Sequence, residues 1–464
     1  MKILFMPIED SSREFDYKLT LSTILMDEDT VVYIGQHDYL YKIRKAFKGG
    51  VYLGKNIFSY KSDGTWQNRH KDIKKRGMSV IHLDEEQAIY SGDEEEWKRR
   101  LSTRLDLTGL DSDDFLFVWG DFQKKYYESV TNVAKENIVV TGNPRFDLLS
   151  KYKKYYEDDI KEITKKYGEY ILVTTSFGWF NNILGNKDTF SNRFRADLSD
   201  VNQLREHIGT WAYYGKTFIG YVELIADLSK KYPNNTIIVR PHPGESKEIY
   251  QTIFKSMTNV SVVYYESSYP WIIGAKLLIE DGSSTAVEAY LSDTPVINYK
   301  PESLNNKYDM YLPDLVSEKC TEVEDVFSKI GKISNATSKI IDDELAHSLF
   351  FNLKDTHDSF SKTSDTIKKV LTKEGDGVVN NSLLWFYRLK LFLVEIIRKL
   401  LLIVNREKRK RYDINRIKFS GFLKDRVIKK SHKICQMLDK SVSCNVVNKN
   451  LIILGIDFAM KRSA

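Results

Sequence analysis

Short apolar runs bounded by turn residues recur along the first 300 positions. KILFMPI (2–8), TVVYIG (30–35), MSVIHL (78–83), FLFVWG (115–120) and NIVVTG (137–142) form one series. YILVTT (170–175), TIIVRP (236–241), VSVVYY (260–265), KLLIED (276–281) and PVINY (295–299) form a second. Runs that are apolar throughout, rather than alternating, mark strands buried on both faces of a parallel sheet, and the stretches between them are long enough for crossover helices. The pattern predicts two successive α/β sheets, joined by a helix in KYKKYYEDDIKEITKKYGEY (151–170). No repeat of solenoid period is visible.

A helical pattern returns over 343–373, and KEGDGVVNNS (373–382) has the composition of a linker. Beyond it, 22 mostly apolar residues run from Leu383 to Val404, long enough to suggest a membrane span. Arg388, Glu395, Arg398, Lys399 and Arg406 recur at helical spacing on one face, however, with Leu384, Leu391, Phe392 and Ile396 elsewhere. This stripe predicts an amphipathic helix lying in a membrane surface, because anionic headgroups attract each Lys or Arg by about 1 kcal/mol. Packing on the protein's own body is the alternative. Removal of everything from Leu383 onward is expected to leave both sheets folded.

Length and charge refine this picture. A chain of 464 residues exceeds one ordinary core and suits two domains, here 1–150 and 151–372, with 373–464 as a linker and basic helical extension. Hydrophobic content of 42% with 29% charged residues is globular. The net charge is +6, yet 13 Lys or Arg against three acids between Arg398 and Lys430 give that segment +10, leaving about −4 for the rest. A nucleic-acid footprint would lie across the folded domains, so that class is set aside. Three cysteines without C-x-x-C spacing argue against a disulfide framework and a zinc site, and point to a reducing compartment. MKILFMPIED looks like a first strand, not a signal peptide.

Candidate chemistry gathers at strand ends. In IIVRPHPGES (237–246) Arg240 closes a strand, and His242 stands between Pro241 and Pro243 with Glu245 close behind. The carboxyl ends of such strands are where open α/β sheets bind ligands; a restrained imidazole and a guanidinium suit phosphate. In IEDGSSTAVEAYL (279–291), Asp281 and Gly282 form a turn, and Ser283, Ser284 and Thr285 open a helix whose N–H groups and hydroxyls favour an anion. Glu288 lies one turn deeper, placed to accept ribose hydroxyls. A helix capped only by its own Ser and Thr is the bland alternative. VVTGNPRFDLL (139–149) presents Asn143 and Arg145 after another strand, and PIEDSSREFD offers Glu9, Arg13, Glu14 and Asp16 after the first.

The order TGNPRFD, TTSFGWFNN (174–182, containing Ser176 and Asn181), RPHPGE and EDGSSTAVEA followed by TPVINY resembles bacterial surface carbohydrate biosynthesis proteins of the GT-B glycosyltransferase type, over nearly all of residues 1–340. The H-P and S-S elements are also similar to those of sialyltransferases, 3-deoxy-octulosonic acid transferases and teichoic acid glycerophosphotransferases. Nucleotide-sugar 2-epimerases share T-G-N-P, but this chain lacks their double glycine after the serine. The resemblance implies two Rossmann-like domains facing a cleft.

It also implies a donor-nucleotide site of Arg240, His242, Pro243, Glu245, Gly282, Ser283, Ser284, Thr285 and Glu288. On this reading the acceptor side holds Glu9, Arg13, Asn143, Arg145, Ser176 and Asn181, and the catalytic group comes from Glu14, Asp16, Asp281 and His242. No metal or cofactor is expected: the substrate would be a CMP-linked acidic ulosonic sugar, the acceptor a glycan or lipid-linked glycan, and the location the cytoplasmic face of an anionic membrane. Transfer of a polyol phosphate from a cytidine diphosphate donor is the rival chemistry; an epimerase-like enzyme and a noncatalytic scaffold are more distant.

Overall fold

The computed structural model describes residues 1–456 except 55–64, 106, 192–196, 265, 303–307, 334–340, 354–356, 405–408, 410–411, 413–415 and 417. The chain forms two compact units: residues 1–88, 93–155 and 343–464 in the first, and 89–92 with 156–342 in the second. Residues 343–372, expected in the second domain, belong to the first. Each unit is Rossmann-like, as the apolar runs predict.

In the first unit β1 (Lys2–Ile8), β2 (Thr30–Gln36), β3 (Phe47–Lys48), β4 (Val51–Gly54), β5 (Ser79–Leu83), β6 (Phe115–Val118) and β7 (Ile138–Val140) precede the second unit's strands in the chain. The sheet runs β2-β1-β4-β5-β6-β7, all parallel. Ile3 to Ile8 and Thr30 to Gly35 are buried, which is why their side chains are apolar on both faces. Asp10 caps the helix Ser11–Leu25 through the Ser12 N–H (2.9 Å), and the Glu14 carboxylate accepts the Glu9 and Asp10 N–H groups (3.3 and 3.1 Å).

The second unit holds β8 (Tyr170–Thr174), β9 (Thr236–Arg240), β10 (Val260–Val262), β11 (Leu277–Glu280), β12 (Val296–Tyr299) and β13 (Glu318–Cys320). Their order is β10-β9-β8-β11-β12-β13, all parallel. Counted within the unit this is 3-2-1-4-5-6, so the winding direction reverses between β8 and β11. The helix Val201–Lys231 buries Phe218, Tyr221, Leu224, Ile225 and Leu228 against one face of this sheet.

The C-terminal extension departs from expectation. After β14 (Val378–Val379), which pairs with β3, the strands β15 (Ser443–Asn448) and β16 (Leu451–Gly455) form a hairpin, and β16 lies antiparallel on β2. Leu451, Ile452 and Leu454 are fully buried there, so removal of the extension would not leave the first sheet intact. Backbone approach is close: a side chain at Gly35 would put its Cβ 2.6 Å from the Asn450 carbonyl oxygen.

The helix Asn381–Val404 forms, but with another facing. Leu384 is buried, and Leu383, Tyr387 and Leu391 pack against the same core of the first unit. Glu395 turns to Tyr412 and to Lys449 Nζ (3.1 Å). Leu384, Leu391 and Glu395 thus occupy the inward face, while Trp385, Phe392, Ile397, Leu400 and Leu401 are more than half exposed. Arg406 lies outside the described residues. Among the described residues no helix is long and apolar enough to cross a membrane.

Candidate anion site at the strand-order reversal

The reversal between β8 and β11 gathers the carboxyl ends of three strands. After β11 the chain turns at Gly282, whose φ of 90° is left-handed and favours glycine. Ser283 is the N-cap of the helix Ser284–Leu291: its Oγ accepts the Thr285 N–H (3.4 Å) and lies 2.7 Å from Thr285 Oγ1. Glu280 Oε2 accepts the N–H groups of Gly282 and Ser283 at 2.8 and 2.5 Å. The self-capped alternative is therefore realised at Ser283 and Thr285. Ser284 differs, because neither its N–H nor its hydroxyl has a hydrogen-bond partner among the described residues.

The loop after β8 connects this turn to the histidine loop. Thr174 Oγ1 is 3.0 Å from Thr285 Oγ1, Ser176 donates to Asp281 Oδ2, and Thr175 donates to Glu245 Oε1 (2.8 Å). Glu245 is buried and also accepts from Tyr250 (2.6 Å) and the His242 N–H (3.1 Å), so it braces the loop instead of facing a ligand. Asn181 does the same, donating to the Ser246 carbonyl (2.9 Å) and accepting the Ser246 N–H on its own carbonyl (3.0 Å). Pro243 is half-buried and His242 exposed. The Gly244 N–H donates to His242 Nδ1 (3.0 Å), which leaves the proton of the neutral ring on Nε2. Arg240 is 9% exposed and donates to the Glu266 carbonyl (2.6 Å), so its guanidinium is drawn into the fold.

Burial dominates the electrostatics. It pushes Glu280 up to about 8, helped by the neighbouring Asp281 charge, and Glu245 to about 7. Asp281 rises to about 6, held back by the Ser176 hydroxyl and by Lys300. Its Oδ1 and Glu280 Oε1 are buried without a hydrogen-bond partner among the described residues. Such atoms accompany catalytic roles or bound water and ions. Lys300, absent from the sequence reading, is buried beside Gly282 and bonded to Asp309 (2.7 Å) and Asp314 (2.6 Å). Thr174 and Thr175 were missed as well, although their place after YILV was a signal. Glu288 is buried one turn down the same helix.

Of the residues expected on the acceptor side, Glu9, Arg13, Asn143 and Arg145 sit in the first unit, where most are committed to it, whereas Ser176 and Asn181 belong to the second. Asn143 is buried; its side chain bonds Glu85 (3.0 Å) and the Arg145 N–H (3.1 Å), and its own N–H bonds Asn352 Oδ1 (3.0 Å). Arg145 is 1% exposed, its guanidinium 4.3 Å from the Phe146 ring centroid. Asn352 also donates to Asp147 (2.7 Å), and Phe350 packs on Phe146 and Trp119. TGNPRFD is thus the seat of the segment 343–373, which corrects the ligand role expected of Asn143 and Arg145. Glu14 pairs with buried Lys18 (2.6 Å), and Asp16 bonds Tyr155 (3.2 Å) and Lys430 (2.5 Å), so neither carboxylate is available as a base. Glu9 is exposed near Lys418 (3.5 Å), and Arg13 pairs with Glu86 (3.3 Å).

Asp111 and Asp113 stand at D-x-D spacing, as do Asp27 and Asp29. His70, Asp111 and Asp114 do cluster in the first unit, yet Lys74 already supplies a cation there, 2.7 Å from Asp113 and 3.3 Å from Asp114.

No family model matches the sequence, and no curated protein sequence matches it. Among solved structures, the wall teichoic acid polymerase TagF with CDPG aligns over 80% of this chain and 89% of that one, with a TM-score of 0.47 and 12% identity. The UDP-GlcNAc 2-epimerase of Neisseria meningitidis, bound to UDP-GlcNAc, aligns over 80% of this chain and 100% of its own (TM-score 0.45, 14% identity). That of Methanocaldococcus jannaschii, in complex with UDP-GlcNAc and UDP, gives the same coverage (TM-score 0.47, 14% identity). At these identities the likeness assigns no substrate to this chain.

Proposed function

We propose that the protein is a metal-independent transferase of surface polysaccharide assembly that takes a sugar from a nucleotide donor. The motif resemblance favours an acidic ulosonic-type sugar on a cytidine nucleotide. The observation that carries the reading is Ser284, which opens a helix at the strand-order reversal with its N–H and hydroxyl unpartnered among the described residues. His242 belongs to the neighbouring loop, with its proton directed to Nε2. Helix starts at such reversals suit phosphate.

In the proposed reaction an acceptor hydroxyl attacks the anomeric carbon, and the carbon–oxygen bond to the donor phosphate breaks. The bonding pair leaves on the phosphate oxygen, where Ser284 and His242 donate hydrogen bonds to the growing charge. The hydroxyl proton passes to a base, and Asp281 is assigned that part because its Oδ1 has an open acceptor position. No cofactor is needed. A membrane-bound lipid-linked acceptor belongs to the same proposal, supported by the exposed apolar face of the helix Asn381–Val404.

The test is a thermal-shift series with cytidine and uridine mono- and diphosphates, in which a ligand at about 100 times its Kd adds about 2.7 kcal/mol of apparent stability. His242→Ala is expected to weaken the stabilising nucleotide about ten- to a hundred-fold, from a charge-assisted hydrogen bond of about 1.5–3 kcal/mol, with little change in melting temperature. Ser284→Ala acts in the same direction, and non-additivity in the double mutant reports a shared phosphate. Unchanged affinity together with lost stability would overturn the assignment. Phosphate retained in the transferred product would move it to polyol phosphate transfer.

A further inference from the structure

A cavity of about 620 Å³ in the first unit is lined by Arg44, Lys45, Lys48, Asp72, Lys75, Arg76 and Tyr387. Five cations face one carboxylate. Asp72 is engaged by Arg44 (3.4 Å) and by the Tyr41 hydroxyl (2.9 Å). Arg76 donates to the Lys45 carbonyl (2.8 Å), while Lys45, Lys48 and Lys75 form no ion pair among the described residues. Crowded cations of this kind repel one another unless an anion joins them.

Tyr387 makes this cavity continuous with the helix Asn381–Val404. That helix inverts the usual arrangement of a surface helix: Glu395 is drawn inward, while Trp385, Phe392, Leu400 and Leu401 stand more than 60% or nearly so exposed, at 63, 62, 60 and 68%. An apolar helix face next to a net positive cavity matches a bilayer in which acyl chains and anionic phosphodiesters lie side by side. A protein partner would need its own acidic group next to an apolar groove; an anionic leaflet offers both everywhere.

We infer that this cavity is a headgroup site for an anionic phospholipid, which Lys45, Lys48, Lys75 and Arg76 hold by the phosphodiester while the adjoining helix face enters the bilayer. The inference rests on the membrane-surface reading above and adds to it a selective site. It is independent of the polybasic run beyond Val404.

Co-sedimentation of the full chain with vesicles separates the two. Intact protein is expected to bind phosphatidylcholine vesicles weakly, and vesicles containing phosphatidylglycerol much more tightly. Lys48→Ala/Lys75→Ala, at two exposed positions, is expected to lower the phosphatidylglycerol-dependent partition roughly 25-fold, from about 5-fold per basic residue at about 1 kcal/mol each, while leaving phosphatidylcholine binding unchanged. Trp385→Ser/Phe392→Ser is expected to lose binding to both. Retention of the phosphatidylglycerol preference in the lysine variant overturns the headgroup site and leaves the membrane reading standing. If intact protein binds neither vesicle and instead self-associates through a contact abolished by Trp385→Ser/Phe392→Ser, both fall, and the face is an interface between copies.

Discussion

Glu280→Gln isolates the electrostatics of the strand-order reversal. The amide oxygen replaces Oε2 as acceptor for the Gly282 and Ser283 N–H groups, but the side chain no longer ionises. Burial and the Asp281 charge raise the Glu280 carboxyl from 4.5 to about 8. A carboxyl whose folded pKa exceeds its unfolded value contributes its stability below the unfolded value and loses it as pH rises through the folded one. The window is therefore about pH 4.5 to 8, and between ~pH 5 and ~pH 7.5 the linkage amounts to about 3 kcal/mol of lost stability. The variant lacks this loss but carries a nearly pH-independent cost of about 1–3 kcal/mol for its buried, unpartnered NH₂ group. Urea unfolding of both proteins across this range should show the wild type equal or more stable at the acid end and the variant more stable at the alkaline end, with unchanged m-values. Other carboxyls titrate in both proteins and largely cancel in the difference. A gap between the two that stays constant with pH would refute the raised pKa and the environment that produces it.

Deleting residues 443–464 should destabilise the first unit by on the order of 5 kcal/mol, at about 1.5–3 kcal/mol for each of Leu451, Ile452 and Leu454, and should promote aggregation through the bared edge of β2. An unchanged melting temperature would contradict the hairpin's place in the sheet. Asn143→Ala should cost about 1–3 kcal/mol or more by stranding Glu85, measured by urea unfolding, and should leave nucleotide affinity unaltered; loss of affinity without loss of stability would restore its ligand role.

The sheets were legible because a strand buried on both faces announces itself in sequence. VYLG of β4 is too brief to count as such a run, and EKC of β13 is polar apart from Cys320, so both strands were passed over. SCNVVNKNLIILG carried a hairpin signal, two β-prone runs around Lys449 and Asn450, but was absorbed into the basic extension. His242 and Ser284 do follow the ends of β9 and β11, as position in the sequence predicts. Position could not show that Arg240 bonds Glu266, or that Glu14 and Asp16 have partners in Lys18 and Lys430, because those choices depend on residues distant in the chain or on side-chain direction. The facing of the helix Asn381–Val404 was misjudged for the same reason: spacing defines stripes, and only the partner surface decides which stripe is turned inward.

The hairpin on β2 also orders events during synthesis. β2 ends at Gln36 and its partner begins at Leu451, so more than 400 residues must follow before that edge can be closed. At ~5–20 residues per second this is roughly 20–80 s. Residues 156–342 are all made within this interval, so the second unit can finish folding while the first still presents an unpaired strand. The ribosome-bound chain thus spends most of its synthesis with a template for wrong pairing, and a holdase covering the β2 edge would raise yield more than one acting on the second unit.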